Sequence, residues 1–452
     1  MKIVINGCGK IGKTILASLV AEGHDVVAID NNRSVISNIT DIYDVIGVCG
    51  NGADNDVLSQ AEINNAELFV SVTGSDELNM LSCFMAKRMG AKHTIARIRN
   101  PEYNDDGLSF MRKQLDISLI INPELMAAHE LYNILKLPSA AKVERFSARN
   151  FEMIELKLKA DSVLDGVKLI DLRSKFKSEF LVCAVQRGED AYIPDGNFVL
   201  KSGDKIAVTA KPAQIIKLLK EMGIQQNPAK KIMILGAGRT AYYLAKRLSQ
   251  INNSVTVIEK EKSICEEFCE ALPNVLVVNG DGSDREILNE EGIHNMDAFV
   301  SLTGMDEQNI LISSYAASED VPKVIAKINR EELVPLAENL GLDTFVSPKK
   351  LISDVLVKYA RALENSQDNS METLYKVMDD KVEVLEFLVK ENRDFTGVTF
   401  KELKLKPNIL IAGIIRDKKT IIPSGEDMML QGDKVIVLAA NQRINDLSDI
   451  VR

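Results

Sequence analysis

The sequence predicts an α/β protein with two tandem Rossmann-like parallel-sheet domains, each followed by a small α+β domain. Three observations carry this. A glycine fingerprint follows a short apolar strand at the N-terminus, with an acid at the end of the next strand. The same unit returns about 230 residues later. A β-rich stretch with its own Gly-Asp turn follows each copy. The expected domains are residues 1–135, 136–225, 229–365 and 366–452.

The repeat is visible by direct comparison. "VVAIDNNRS" (26–34) answers "VTVIEKEKS" (255–263), and "LFVSVTGSDELN" (68–79) answers "AFVSLTGMDEQN" (298–309). "GNGADNDVL" (50–58) answers "GDGSDREIL" (280–288) without gaps. In the small domains, "YIPDGNFVLKSGDKIAV" (192–208) answers "IIPSGEDMMLQGDKVIV" (421–437). So long a period means a duplicated multidomain unit and not a solenoid. "QQNPAKK" (225–231) and "NSQDNSME" (365–372) read as linkers.

Within the first copy, "KIVIN" (2–6) predicts a strand of mostly β-branched residues. Gly7 lets the chain turn sharply off it. Gly9 removes a side chain where a pyrophosphate would approach, and Gly12 lets the following helix pack close to the strand. The helix "KIGKTILASLVAEG" has apolar residues at helical spacing and ends at Gly23. "DVVAID" (25–30) is the next strand, and Asp30 stands 23 residues after Gly7, where a ribose-binding acid belongs. "YDVIGV" (43–48), "LFVSVT" (68–73) and "HTIARIR" (93–99) continue the strands, with a helix after Thr73. Alternating strands and helices imply a parallel sheet covered on both faces. Thr73, Asp76, Glu77 and Asn79 then fall at the ligand-bearing edge of that sheet, where acids also suit helix capping. Arg97 and Arg99 alternate onto one face, facing a phosphate, an interface carboxylate or solvent.

The second copy reads "LGAGRTA": Gly236 and Gly238 recur, Ala241 replaces the third glycine, and Glu259 takes the acid position. Arg239 and Thr240 open its helix, within reach of a phosphate. The alternative is a degenerate copy kept for the fold. In the small domains, "ERFSAR", "FEMIELKL", "FLVCAVQRG" and "DKIAVTA" read as strands and "KPAQIIKLLKEMG" as a helical tail. No nucleophile–base set, metal cluster or stacking platform is legible there.

Bulk properties exclude several classes. A net charge of -10 argues against a non-specific grip on nucleic acid or anionic lipid. The six cysteines, at 8, 49, 83, 183, 265 and 269, contain no CxxC and read as reduced thiols. Cys265 and Cys269 are four apart on an expected helix and could share a face. No secretory leader and no run of about 18 apolar residues is present, so the expectation is a soluble, cytoplasmic protein reaching a membrane through a partner. A dehydrogenase would need a proton relay. The four histidines, His24, His93, His129 and His294, do not recur at paired positions, and no relay candidate accompanies the second domain. A regulatory binding module is therefore favoured over an NAD-dependent oxidoreductase or a bare scaffold.

"MKIVINGCGKIG", "VVAID", "VTGSDELN" and "IPDGNFVLKSGDKIAV", all in double copy, resemble the TrkA family of Trk potassium-uptake regulatory proteins, whose domains are called RCK or KTN. The resemblance spans essentially the whole chain. It implies NAD(H) binding, and binding of adenine nucleotides such as ATP or ADP. It also implies no catalysis, peripheral attachment to the inner face of the cell membrane on a TrkH or TrkG subunit, and assembly as a homo-oligomer, dimer or tetramer, around a potassium pore. By family pattern, Gly7, Cys8, Gly9, Lys10, Ile11, Asp30, Thr73 and Arg97 are nucleotide-contacting positions. Gly236, Gly238, Arg239, Glu259, Thr303 and Lys327 are their second-copy counterparts.

An acid at the ribose position repels the 2′-phosphate of NADP. NADPH should bind at least about tenfold more weakly than NADH, a difference of roughly 1.4 kcal/mol. Equal affinities by calorimetry would remove Asp30 as the ribose ligand.

Overall fold

The computed structural model describes the chain except for residues 102, 104, 137–140, 146–151, 160–161, 225–227, 366–370, 392, 418 and 445. The first copy contains β1 (Lys2–Asn6), α1 (Lys10–Ala21), β2 (Asp25–Asp30), α2 (Arg33–Ile42), β3 (Ile46–Cys49), α3 (Asn55–Gln60), β4 (Leu68–Ser71), α4 (Asp76–Arg88), β5 (His93–Arg97), α5 (Asp105–Gln114), β6 (Leu119–Ile121) and α6 (Pro123–Lys136). Its sheet order is β3-β2-β1-β4-β5-β6. Every neighbouring pair is parallel. The order reverses between β1 and β4, so a crevice opens there at the strands' carboxyl ends.

Local chemistry explains the elements. β1 is buried from Ile3 to Asn6, as a central parallel strand requires. α1 turns Ile15, Leu16 and Leu19 inward. Ser75 caps α4 by accepting from the Leu78 amide, with Asp76 and Glu77 in the first turn and Lys87 and Arg88 in the last. Both ends thus complement the helix dipole. Phe69 on β4 is fully buried in a core with Val4, Val27, Ile29 and Ala96.

The second copy repeats this sheet: 276–279, 254–259, 231–235, 298–301, 324–327 and 345–346 in spatial order. The register repeats as well, with Ile3 opposite Leu68 and Ile232 opposite Ala298. The expected doubly wound architecture is thus present in both copies. The third strand begins at Ile46, later than the expected 43, because α2 runs to Ile42 and residues 43–45 form the bend that follows it. The expected strand at 144–149 is described only as Ala141–Arg145, and its remainder lies outside the described residues. Part of each expected linker, 225–227 and 366–370, lies outside them too. Cys265 is buried and Cys269 exposed, so the two thiols do not share an environment.

The chain forms two compact units, each built from like domains. One comprises Met1–Tyr132 with Ala229–Ala360, the other Asn133–Pro228 with Arg361–Arg452. In the first unit the copies grip each other at the base of α6. Asn122 donates to the Tyr243 hydroxyl, which donates to the Arg99 carbonyl. Arg247 lies over the Tyr132 ring at 4.1 Å. Reciprocally, Tyr359 meets His93 edge-on at 6.2 Å. Among the described residues no helix is long and apolar enough to cross a membrane.

The second unit holds two five-stranded antiparallel sheets. Cys183, Ala184 and Ala207 of one share a core with Val384, Ile436 and Leu438 of the other. The Gly-Asp turns serve a duplicated ion pair. Arg187 forks onto Asp204 at 2.8 Å and also donates to the Val199 carbonyl. Arg416 does the same with Asp433 and Met428. Asp204 is 1% exposed, and its second oxygen also accepts the Lys201 amide. Asp204→Ala should destabilise the unit by about 3 kcal/mol, the lower end for a broken buried pair because the arginine retains some contact with water. Denaturant unfolding with an unchanged midpoint would show the pair to be dispensable.

Candidate functional site

Close backbone approach builds the site. Gly7 leaves β1 with φ of +91°, and a Cβ there would sit 2.7 Å from the Thr73 amide nitrogen. A Cβ on Gly12 would fall 2.0 Å from the Gly7 carbonyl oxygen. Both positions therefore demand glycine. Gly9 differs: a Cβ there meets nothing within 4 Å. Gly9 is the N-cap of α1, no side chain caps this helix, and its first turn holds no acid. The uncapped amides and the positive end of the dipole suit an anion.

A cavity of about 700 Å³ opens in front of this turn. Gly7, Gly9, Lys10, Ile11, Asp30, Thr73 and Arg97 all line it. Cys8, the remaining first-copy candidate, does not. Its side chain is buried behind the loop, and burial, followed by the charge of Asp30, pushes the thiol up to about 12. Its amide donates to Asp30 Oδ2 at 2.7 Å. The Asn32 amide donates to Oδ1 at 2.9 Å. The backbone thus fixes the Asp30 carboxylate at the end of β2, with lone pairs left for a ribose.

Asn79 organises the edge beside Gly7. This fully buried side chain accepts from the Thr73 amide at 2.8 Å and donates to the Arg97 carbonyl at 2.8 Å. Arg97 itself donates to the Thr73 carbonyl, and its Nε has no partner among the described residues. Burial, then the neighbouring Arg99, brings its guanidinium down to about 10, so it remains a cation. Asp76 and Glu77 lie outside the cavity lining. Asp76 accepts the amides of Arg99 and Asn100, pinning the loop after β5, while Glu77 accepts from Ser75 and Tyr103. The acids of this motif are thus structural. The motif's more informative residue is Asn79, whose signal was its recurrence as Asn309.

The second copy retains the same framework. Gly236 has φ of +93°, and its Cβ would lie 3.3 Å from Leu302, a looser crossing than the first copy's. Ala241 is buried at the third position. Glu259 accepts the amides of Ala237 and Glu261, and Asn309 again accepts from Thr303. Gly238 caps the helix that starts at Arg239, with open space beyond its Cα.

One placement was not legible in the sequence. Thr240, Lys327, Asn329, Pro348 and Lys349 of the second copy line the first copy's cavity. Lys327 donates to the Leu302 carbonyl at 3.0 Å, one residue before Thr303, the counterpart of the Thr73 that accepts from Arg97. Burial lowers the pKa of Lys349, Asp306 opposes that shift, and Lys10 adds to it. A cationic wall thus faces the uncapped helix across the cavity. Spacing along one copy cannot reveal this, because the wall belongs to the other.

The TrkA-N domain model matches residues 3–123 and 232–348, and the TrkA-C domain model matches 153–223 and 384–452. The chain belongs to the TrkA family. It is 35% identical to the Trk system potassium uptake protein TrkA homolog 1 of Methanosarcina mazei, over 97% of each chain. It is 29% identical to the Trk system potassium uptake protein TrkA of Vibrio alginolyticus, covering 98% of this chain and 96% of that one. The fold is also that of a GsuK channel structure described as bound to NAD, with a TM-score of 0.63 and 18% identity over 97% of this chain and 77% of that one. The family places the chain among potassium-uptake proteins and not among dehydrogenases.

Two glycine substitutions should separate fold from binding. Gly12→Ala forces a backbone clash and should cost stability, on the order of 1–3 kcal/mol. Gly9→Asp should leave the melting temperature within a few degrees while abolishing anion binding at the first copy, since the added carboxylate fills that cradle. A Gly9→Asp protein that unfolds, or that binds nucleotide normally, would contradict the geometry.

Proposed function

We propose that this TrkA-family chain is the nucleotide-responsive regulatory subunit of a Trk-type potassium-uptake system. The first-copy cavity takes NAD(H) or an adenine nucleotide such as ADP or ATP, and the response passes to a membrane subunit of the TrkH or TrkG type. The observation that carries this reading is the cavity's two-sided wall. One side is a Rossmann phosphate cradle, and the other is supplied by Lys327 and Lys349 of the second copy. The names of its potassium-uptake relatives and the NAD-bound channel of the same fold support it.

The proposed roles follow from position. The first amides of α1 and Arg97 hold the phosphates, Asp30 accepts from the ribose hydroxyls, and Thr73 keeps Asn79 and Arg97 in register. Gly236, Gly238, Arg239, Glu259 and Thr303 form the corresponding second site. A ligand touching both copies favours the arrangement that brings them together. It shifts that equilibrium only as far as it binds the two arrangements differently. A phosphate-rich ligand gains more from the Lys349 wall than a dinucleotide whose phosphates are enclosed between two nucleosides. The proposed setting is the cytoplasmic face of the membrane, in a dimer or tetramer of chains with domain boundaries near 135, 228 and 365.

The test combines calorimetry with potassium flux in liposomes carrying the membrane subunit. Wild-type protein should bind nucleotide and make flux nucleotide-dependent. Gly9→Asp should lose binding at the first copy and, with it, the nucleotide dependence of flux. Lys349→Ala should weaken ATP or ADP binding about three- to tenfold, the range for one partly screened charge-assisted contact. If Gly9→Asp binds no nucleotide at the first copy while flux still responds normally, the first-copy cavity is not the switch.

A further inference from the structure

We propose that the loop after the third strand of each Rossmann copy reads the base of the bound nucleotide, and that the two copies read it with opposite hydrogen-bond polarity. Asn51 offers an amide donor in the first copy, and Asp281 offers a carboxylate acceptor in the second. This rests on the nucleotide reading above and extends it to base recognition.

Sheet order sets the base position. The phosphate cradle stands over the end of β1 and the ribose acid over the end of β2, so the next place outward is the end of β3. There Gly50, Asn51 and Gly52 line the cavity already described. The loop is held tightly against the sheet. A Cβ on Gly52 would fall 2.1 Å from the Asn6 amide oxygen, and one on Gly282 would fall 2.0 Å from Leu235 Cδ1. Neither loop can carry a side chain at that position without being pushed outward.

The polarity follows from which branch of each side chain is already used. The Ala53 amide donates to Asn51 Oδ1 at 3.1 Å. A backbone N–H can be accepted only by the amide oxygen, which fixes the orientation of the group. Nδ2 is the branch left over, and it has no partner among the described residues. In the second copy, the Ser283 amide and hydroxyl donate to Asp281 Oδ1 at 2.9 and 2.7 Å. Oδ2 is the branch left over at this aligned position. These two bonds hold the Asp281 carboxyl below its ordinary range, so it is an acceptor only. The surrounding loops align without a gap from 50 to 58 and 280 to 288, and this position changes the hydrogen-bond character.

Adenine offers ring-nitrogen acceptors and an exocyclic amine donor. Asn51 can use the ring nitrogens and does not need the amine. Asp281 can use only the amine. A purine without the amine therefore loses its partner at Asp281 and keeps one at Asn51.

The probe is purine riboside 5′-diphosphate, which lacks the exocyclic amine, titrated beside ADP into the full chain. Gly9→Asp isolates the second site and Gly238→Asp the first, since a side chain at Gly238 also enters open space. At the second site ADP should bind at least about tenfold more tightly than the probe, the factor expected for one charge-assisted bond. Asp281→Asn should reduce that ratio to about threefold or less, as a neutral bond would. At the first site the ratio should be small, and Asn51→Asp should raise it to about tenfold. Ratios unchanged by both exchanges, with ADP still bound, overturn base reading at these residues. A second site that binds no ADP overturns the second-copy half. A wild-type chain that binds neither compound overturns the nucleotide reading itself, which separates that failure from this one.

Discussion

The site depends on the contact of three backbone segments at the switch point of the first sheet. Gly7, Gly12 and Thr73 approach within distances that leave no room for a Cβ on either glycine. That approach seats the start of α1 over the sheet edge, so its unpaired amides face the crevice instead of the core. Other features then fall into place. The Cys8 amide is brought to Asp30, and Asn79 ties Thr73 to the Arg97 strand. A small displacement here would move the amides, the acid and the cation together.

Duplication adds a second level. Each unit pairs like with like, so a site on one Rossmann copy is walled by the other. The small domains use the same economy, repeating an arginine fork on a buried aspartate and sharing one core. A duplicated chain can also let its copies diverge. The first crossing is tight and needs Gly12. The second is looser at Gly236 and carries a buried Ala241. The acid position remains acidic as Glu259, and the cation on the Thr73 edge changes from Arg97 to Lys327. Equivalent framework and different contact groups are what two sites of unequal ligand preference require.

Charge within the first cavity is unevenly distributed. Lys10, Arg97, Lys327 and Lys349 line it with Asp30 and Glu124, and the Glu124 carboxylate acts on both Arg97 and Lys327. The chain as a whole is acidic, so this cluster is a local concentration against the mean. Burial disfavours charge on Arg97 and Lys349, and a phosphate would relieve that cost.

The sequence by itself determined the sheet type, the order of the domains and the central residues of the cradle. Those features are local or repeated: glycines at a turn, apolar runs of strand length, and a matching copy that excludes chance. It also pointed to the edge of the sheet where the cavity opens, because Thr73 and its neighbours follow a strand. It left the acids there open between capping and ligand contact, since whether Asp76 faces a ligand or a backbone amide depends on where the loop after β5 lies. It could not place Cys8, whose side chain turns behind the loop while its amide holds Asp30. Nor could it place Lys327 and Lys349 at the first copy's cavity. That wall forms only when two domains more than 200 residues apart in sequence pack together. Hydrophobic period and turn chemistry act within a segment and are written in it. The company a side chain keeps across an interface is set by packing, and only the tertiary structure decides it.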